Sequence, residues 1–359
     1  MFARRVAHVV RVSEAGPQCE ELVVLLDGTE QKALNYIPLS GPALAGDSVV
    51  VNTTAVELAL GSGGYHFVYQ NLNRPEHTLQ GEGHIMKLRY TPLQMRVLAV
   101  EEEASPHHQV MMSASSLFGM PVVVAELHSM LAPVVLSIKK EKDDARLAYV
   151  MTDGGALPAF FSRTVRVLKE RKLLCGTVTC GHAFGGDLEA VTIYSGLLAA
   201  RHILKADAAV VCMGPGVAGT GTPYGFSGME AGENVNRVHS LEGQAVFLPR
   251  LSFADVRSRH RGISHHTLTA LTKAAMAPAD FTLPVLPAQE NAWLEKQLAA
   301  AGLARLHNVY RYDGLPLHHL TADRRLCSTM GRSLDDDPAF FLAAAAAGRH
   351  TVRLLSKSP

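Results

Sequence analysis

The sequence lacks several features that would settle its class at once. Its five cysteines (Cys19, Cys175, Cys180, Cys212 and Cys327) are odd in number and scattered, with no C-x-x-C pair. This argues against a disulfide scaffold and a thiolate zinc cluster, and a reducing, cytoplasmic setting is the simplest expectation. No apolar run reaches the roughly 20 residues that a membrane-crossing helix needs. The start, MFARRVAHVVRV, is a short β-branched run interrupted by charge, and reads as a first strand rather than an export signal. Neither sign of charge is in excess, since 34 Lys and Arg face 33 Asp and Glu in 359 residues, a net charge of +1. Nucleic acid therefore has no broad electrostatic footprint, and Arg4, Arg5 and Arg11 stand without an aromatic ladder or a basic run. Neither a membrane nor a nucleic-acid partner is expected.

A nucleotide fingerprint is also missing. In CMGPGVAGTGTPYGFSG, the GPGVAG is followed by TGTPYG instead of an immediate helix, and no Walker lysine is present. No NAD cofactor is expected.

What is present is a core-forming chain. Apolar residues make up 47%, and at roughly 150 residues per domain the length implies two or three folding units. The first hundred residues carry short β-type runs, AHVVRV, EELVVLLDG, DSVVVNTT and GYHFVYQNL, separated by Gly, Pro and Asp turns. They predict a small all-β, barrel-like domain over residues 1–100. The polar EEEASPHHQ begins a linker over 101–120.

From Pro121 the rhythm becomes apolar strand, glycine-rich loop and helix, which predicts an α/β, doubly wound, mostly parallel sheet over 121–359. Strands are expected near Val122 to Glu126, Val134 to Ile138, Leu147 to Met151, Leu173 to Thr179, Ala208 to Met213, Ala245 to Leu248, Thr282 to Leu286 and Leu306 to Tyr310. Helices are expected over Ala156 to Lys172, Leu188 to Lys205, Ser227 to Leu241, His265 to Ala275 and Gln289 to Ala300. The alanine-rich LAAAAAGRH closes the chain as a helix whose partner is this domain or a second subunit of a homo-oligomer.

Ligands of such sheets collect at the carboxyl ends of the strands, which shortens the list of candidate residues. Asp153 follows one strand, in MTDGGALPAFF. His182 follows another, in VTCGHAFGGDLEA, with Cys180 before it and Asp187 and Glu189 after it. His182 is a proton carrier by its ordinary pKa near 6.5, and Asp187 or Glu189 could orient its second nitrogen, while Asp187 is equally placed to cap a helix. Cys180 is a nucleophile only if it is exposed, and otherwise a packed thiol. Gly214, Gly216, Gly219 and Gly221 offer backbone amides to a phosphate or carboxylate.

The segment RSRHRGISHHT adds Arg257, Arg259, His260, Arg261, His265 and His266, a set suited to an oxyanion. It lacks the H-x-x-x-H spacing of paired metal ligands, and adjacent His265 and His266 are expected to point differently. Ser264 is placed to cap the helix that follows.

These readings converge on an enzyme of hydrolysis or group transfer acting on a small anionic ligand, with Asp153, His182 and His265 as catalytic residues and the glycine loop receiving negative charge. A variant uses a divalent metal held by Asp153, His128, His182 and His265. The competing class is a non-catalytic binder or regulator that uses the same cleft.

The phrases GDSVVVNTTAVELALGSGGYHFV, LAYVMTDGGALPAFFSRTV, TVTCGHAFGGDLEAVTIYSGL and VVCMGPGVAGTGTPYGFSGMEAGENVNRVHSLEG are jointly distinctive. Through them the chain resembles, over nearly its full length, a family of uncharacterised bacterial proteins that share a domain of unknown function. The resemblance implies a cytoplasmic bacterial protein, and it carries no substrate, cofactor or residue role onto these positions.

Overall fold

The computed structural model describes residues 2–321, 323–324 and 326–356. It divides into two compact units, residues 1–97 and 98–359. In the first, strands β1 (Arg4–Ala15), β2 (Cys19–Leu26), β3 (Thr29–Tyr36), β4 (Ser48–Asn52) and β5 (Tyr65–Asn71) close a barrel in the order β1-β2-β3-β5-β4. Alternation drives the closure: Leu22, Val24 and Leu26 of β2 face inward with Ala7, Val9, Val49 and Val51, and the residues between them face out. The charged strand TEQKALNY (β3) was not among the expected strands. It is set by Asp27 and Gly28, both at positive φ (50° and 79°), as a two-residue hairpin turn requires. A hairpin of β6 (Ile85–Lys87) and β7 (Met95–Val97) completes the unit.

The second unit carries β8 (Pro121–Ala125), β9 (Leu147–Thr152), β10 (Gly176–Cys180), β11 (Leu188–Ala190), β12 (Ala208–Met213) and β13 (Gln244–Leu248). After a separate ribbon of β14 (Leu251–Ser252) and β15 (Gly262–Ile263) come β16 (Asp280–Pro284) and β17 (Asn308–Tyr312). The main sheet has the order β11-β10-β9-β12-β8-β13-β16-β17 with every pairing parallel, so all its carboxyl ends lie along one edge. Strands β8, β9, β10 and β12 are buried along their whole length, as a sheet covered on both faces demands. The architecture is the doubly wound α/β sheet with an N-terminal barrel that the sequence predicts.

Several elements of the second unit differ from expectation. Val134 to Ile138 is not a strand but part of the helix Leu131–Glu141. Its apolar run is buried on nearly all sides, which masks the helical spacing of Leu131, Val134, Val135 and Ile138, and Pro133 sits in the first turn where it is tolerated. The helix expected from Leu188 begins at Ile193, because Thr192 and Ser195 form a capping box and Leu188–Ala190 pairs with β10 instead. The helix expected from Ala156 begins at Arg163, where the Ser162 side chain accepts the Val165 N–H.

Residues 101–120, expected as a linker, bond into the second unit. Glu101 accepts Val191 N–H (2.9 Å), and Leu117 N–H donates to Leu241 O (2.7 Å). The alanine-rich helix, Pro338–Leu355, finds its partner within this chain. Its residues Ala343 to Gly348 are buried, and a Cβ on Gly348 would lie 2.8 Å from Ser137 Cβ, so glycine permits the close crossing with the helix Leu131–Glu141. Among the described residues, no helix is long and apolar enough to cross a membrane.

Candidate functional site

The loops after the strands form two groups of chemical side chains joined by one glycine-rich loop. The first group follows β9 and β10. Exposed Asp153 accepts the backbone N–H of His182 (2.9 Å) through Oδ2. Thr152 donates its hydroxyl to Glu230, at the start of the helix Glu230–Ser240. Burial, and then the nearby Asp153 charge, push the Glu230 carboxyl up to about 7. Glycines allow this crowding: a Cβ on Gly154 would lie 2.6 Å from Glu230 Oε2, and one on Gly181, at φ +64°, would collide with the Asp153 carboxylate.

Both acids downstream of His182 hold groups of their own loop and strand. Asp187 accepts Thr177 N–H and hydroxyl and pairs with Lys169, while Glu189 accepts Thr179 Oγ1 and Gly185 N–H. Asp187 also caps no helix, since the next one begins at Ile193. Cys180 is 1% exposed, and its sulfur occupies the space a Cβ on Gly196 would need; it is the packed thiol, not a nucleophile. His128 is tied down by Ser162 Oγ (2.6 Å) and Met213 O (3.3 Å), and burial pushes its pKa down to about 4.

The second group lies beyond β13, three strand spacings from β9, or about 14 Å at about 4.8 Å each. Here the chain runs through β14, the single 3-10 turn Ser258–His260 and β15 into the helix His265–Thr269. Gly262, at φ +72°, turns the chain where a Cβ would lie 2.7 Å from the Trp293 ring. Ser264 caps the helix by accepting His266 N–H (3.2 Å), and the same hydroxyl meets His260 Nδ1 (2.8 Å). The helix continues into a π-turn, Ala270–Ala274, a distortion often found beside functional sites.

This route converges three imidazoles. His260, His265 and His266 each offer one ligand nitrogen, and these nitrogens all lie within 4.8 Å of one another. The Nε2 atoms of His265 and His266 are buried and have no hydrogen-bond partner. Phe226 stacks on His266 at 3.8 Å and 8° and fixes its plane. The expectation that His265 and His266 point apart is corrected: their ring centroids are 4.0 Å apart, because the two residues open a helix at a capped first turn rather than alternating across a strand. Burial first lowers all three pKa values, His260 to about 3 and His266 to about 4; neighbouring arginines come next at His260 and His265, and at His266 they follow the His265 ring. The imidazoles are therefore neutral at pH 7, the form that binds metal.

Around them, Arg250 (3.1 Å) and Arg257 (2.8 Å) close on the buried Asp255, whose carboxyl is held far below its usual range chiefly by its hydrogen bond from Arg257. Glu126, at the end of β8, accepts the Thr267 hydroxyl and Arg250 N–H through Oε2. Its Oε1 is buried without a partner, and burial pushes the carboxyl up to about 7.

The glycine loop after β12 spans both groups. Ala156 N–H donates to Pro215 O (2.7 Å), and a Cβ on Gly214 would lie against Ala156. At the other end, a Cβ on Gly219 would lie 3.3 Å from His266 Cε1, and one on Gly221 would lie 3.6 Å from Arg259 Cζ; Gly216 faces open space. Asp153 thus holds the backbone of His182, while His265 joins His260 and His266. A metal ligand set drawn from Asp153, His128, His182 and His265 is not what the fold assembles. Spacing rules for helical ligand pairs hid His260 and His266; the signal available was the density of three histidines around Gly262 and a capping serine.

The family model described as Protein of unknown function (DUF3866) matches residues 32–348 of the chain. No curated protein and no solved structure matches it.

Proposed function

The chain belongs to the DUF3866 family, and we propose that it is a metal-dependent enzyme that hydrolyses, or transfers a group from, a small anionic substrate at the carboxyl edge of its sheet. The observation that carries this reading is the pair of unpartnered, buried Nε2 atoms of His265 and His266 beside His260. Each orphaned buried polar atom costs about 1–3 kcal/mol, and one cation between the rings would satisfy both. With metal–nitrogen bonds of about 2.0–2.1 Å, a tetrahedral centre spaces its ligand atoms about 3.3 Å apart, within reach of small ring movements. Ser264 holds His260 Nδ1 and so steadies that ring, as an outer hydrogen-bond partner of a metal ligand does.

Three imidazoles leave a fourth position open, the pattern of catalytic rather than structural zinc. Such a metal supplies Lewis acidity and lowers the pKa of water to about 7. In this reading His265 is a ligand instead of a proton carrier. Asp153, His182 and Gly214 stand at the far end of the loop, where the rest of the substrate would lie.

The test is turnover of a panel of phosphate and carboxylate esters by full-length protein purified without chelator. Activity should vanish on chelation, return with zinc or manganese, and fall more than about 100-fold in His266→Ala with the fold retained by circular dichroism. Activity indifferent to chelation sinks the reading. Bound metal without turnover would leave the competing class, a ligand-binding protein.

A further inference from the structure

One cation beside the histidines has no counter-charge. Arg250, Arg257 and Arg259 all bear electrostatically on His265 and His266. Arg250 and Arg257 are committed to Asp255, which Arg332 also approaches at 3.7 Å. Arg259 is exposed and forms no hydrogen bond or ion pair among the described residues. The loop that runs past His266 at Gly219 runs past the Arg259 guanidinium at Gly221. The triad itself contains no carboxylate. A divalent cation there would keep its full charge with a free guanidinium nearby, a repulsive pair unless an anion lies between them.

We propose that Arg259 determines substrate specificity by gripping the phosphoryl group of a phosphate ester, with the triad's metal on the other side of that group. This rests on the metal reading above. A guanidinium binds two oxygens in a planar fork. A phosphoryl group retains a further oxygen for the metal and carries more charge, whereas a carboxylate must share one of its two oxygens between the fork and the metal. Glycine at 219 and 221 keeps the space over the His266 edge and the guanidinium clear of side chains. At Gly221, φ +82° also disfavours any other residue.

The experiment titrates inorganic phosphate and acetate calorimetrically into zinc-loaded full-length protein, free zinc removed, as wild type, Arg259→Ala and Arg259→Lys, with zinc affinity measured separately for each. Arg259→Ala should bind zinc at least as tightly as wild type and lose at least about tenfold in phosphate affinity. Arg259→Lys should recover only part, because an ammonium lacks the fork. Acetate should bind wild type at least about tenfold more weakly than phosphate. Equal phosphate binding by wild type and Arg259→Ala overturns the role of Arg259, and acetate binding as tight as phosphate overturns the substrate class. Should wild type take up no zinc, the metal reading fails on its own. Arg259 is then judged on the zinc-free chain: it stands if Arg259→Ala loses phosphate binding and falls if it does not.

Discussion

His265 and His266 are consecutive in the chain, yet their rings lie 4.0 Å apart and tilted by 39°, each with a buried Nε2 that nothing in the described structure satisfies. Ser264 makes this possible, since one hydroxyl caps the backbone of His266 and steadies the ring of His260. Ser264→Ala should therefore lower zinc affinity by about 10–100-fold, the usual effect of an outer hydrogen-bond partner. It should also lower stability by about 1 kcal/mol through the lost cap. Competition with a chromogenic chelator reads the first and urea unfolding the second; unchanged zinc affinity would separate Ser264 from the centre.

Gly181→Ala tests whether the two groups are independent. The new methyl would adopt φ +64° and press on the Asp153 carboxylate that holds His182 N–H. A loss of about 1–3 kcal/mol is expected in urea unfolding, with zinc affinity unchanged because the triad lies beyond β13. A loss of zinc binding to match would show the groups to be one.

Asp255→Asn removes a carboxylate whose side chain is 1% exposed and which faces Arg250, Arg257 and Arg332. Stripping one partner from a buried pair costs about 3–5 kcal/mol. The arginine charge thereby released also disfavours a cation at the histidines, so both urea midpoint and zinc affinity should fall.

Glu126 gives a pH signature. Its folded pKa is raised from 4.5 to about 7, so the folded state holds the proton more tightly than the unfolded chain does. Its contribution is fully present below about 4.5 and is lost as pH rises through about 7, by about 3 kcal/mol in all. His128, lowered to about 4, acts in the opposite sense: its contribution is present above about 6.5 and lost as pH falls through about 4. The difference between wild type and Glu126→Gln isolates the carboxyl. Relative to wild type, the variant should gain stability between pH 5 and 8 in urea unfolding. A constant difference across that range would refute the assignment.

The layered fold was legible because its strands are buried on both faces: Ala208 to Met213 lies where the apolar run places it. The helix Leu131–Glu141 was not, although Leu131, Val134, Val135 and Ile138 carry helical spacing beneath the β-branched run. The strand-end rule put Asp153, His182 and the glycine loop at the carboxyl ends of strands, where they lie, since it depends only on chain direction. It also reached the segment that holds His260, His265 and His266, but not the convergence of their rings. Their geometry arises from an excursion, β14 through the helix His265–Thr269, whose shape depends on Ser264, Gly262 and Phe226 acting across the fold. Nothing in the spacing marks Glu126 or Glu230, because their burial is a property of packing.

The most direct test of the metal centre is X-ray absorption at the zinc edge of protein loaded with one equivalent of zinc. The account predicts a shell of three imidazole nitrogens and one further light atom at about 2.0–2.1 Å, losing nitrogen scatterers in His265→Ala. A shell containing sulfur, or one of oxygens alone that is unchanged by that substitution, would contradict it.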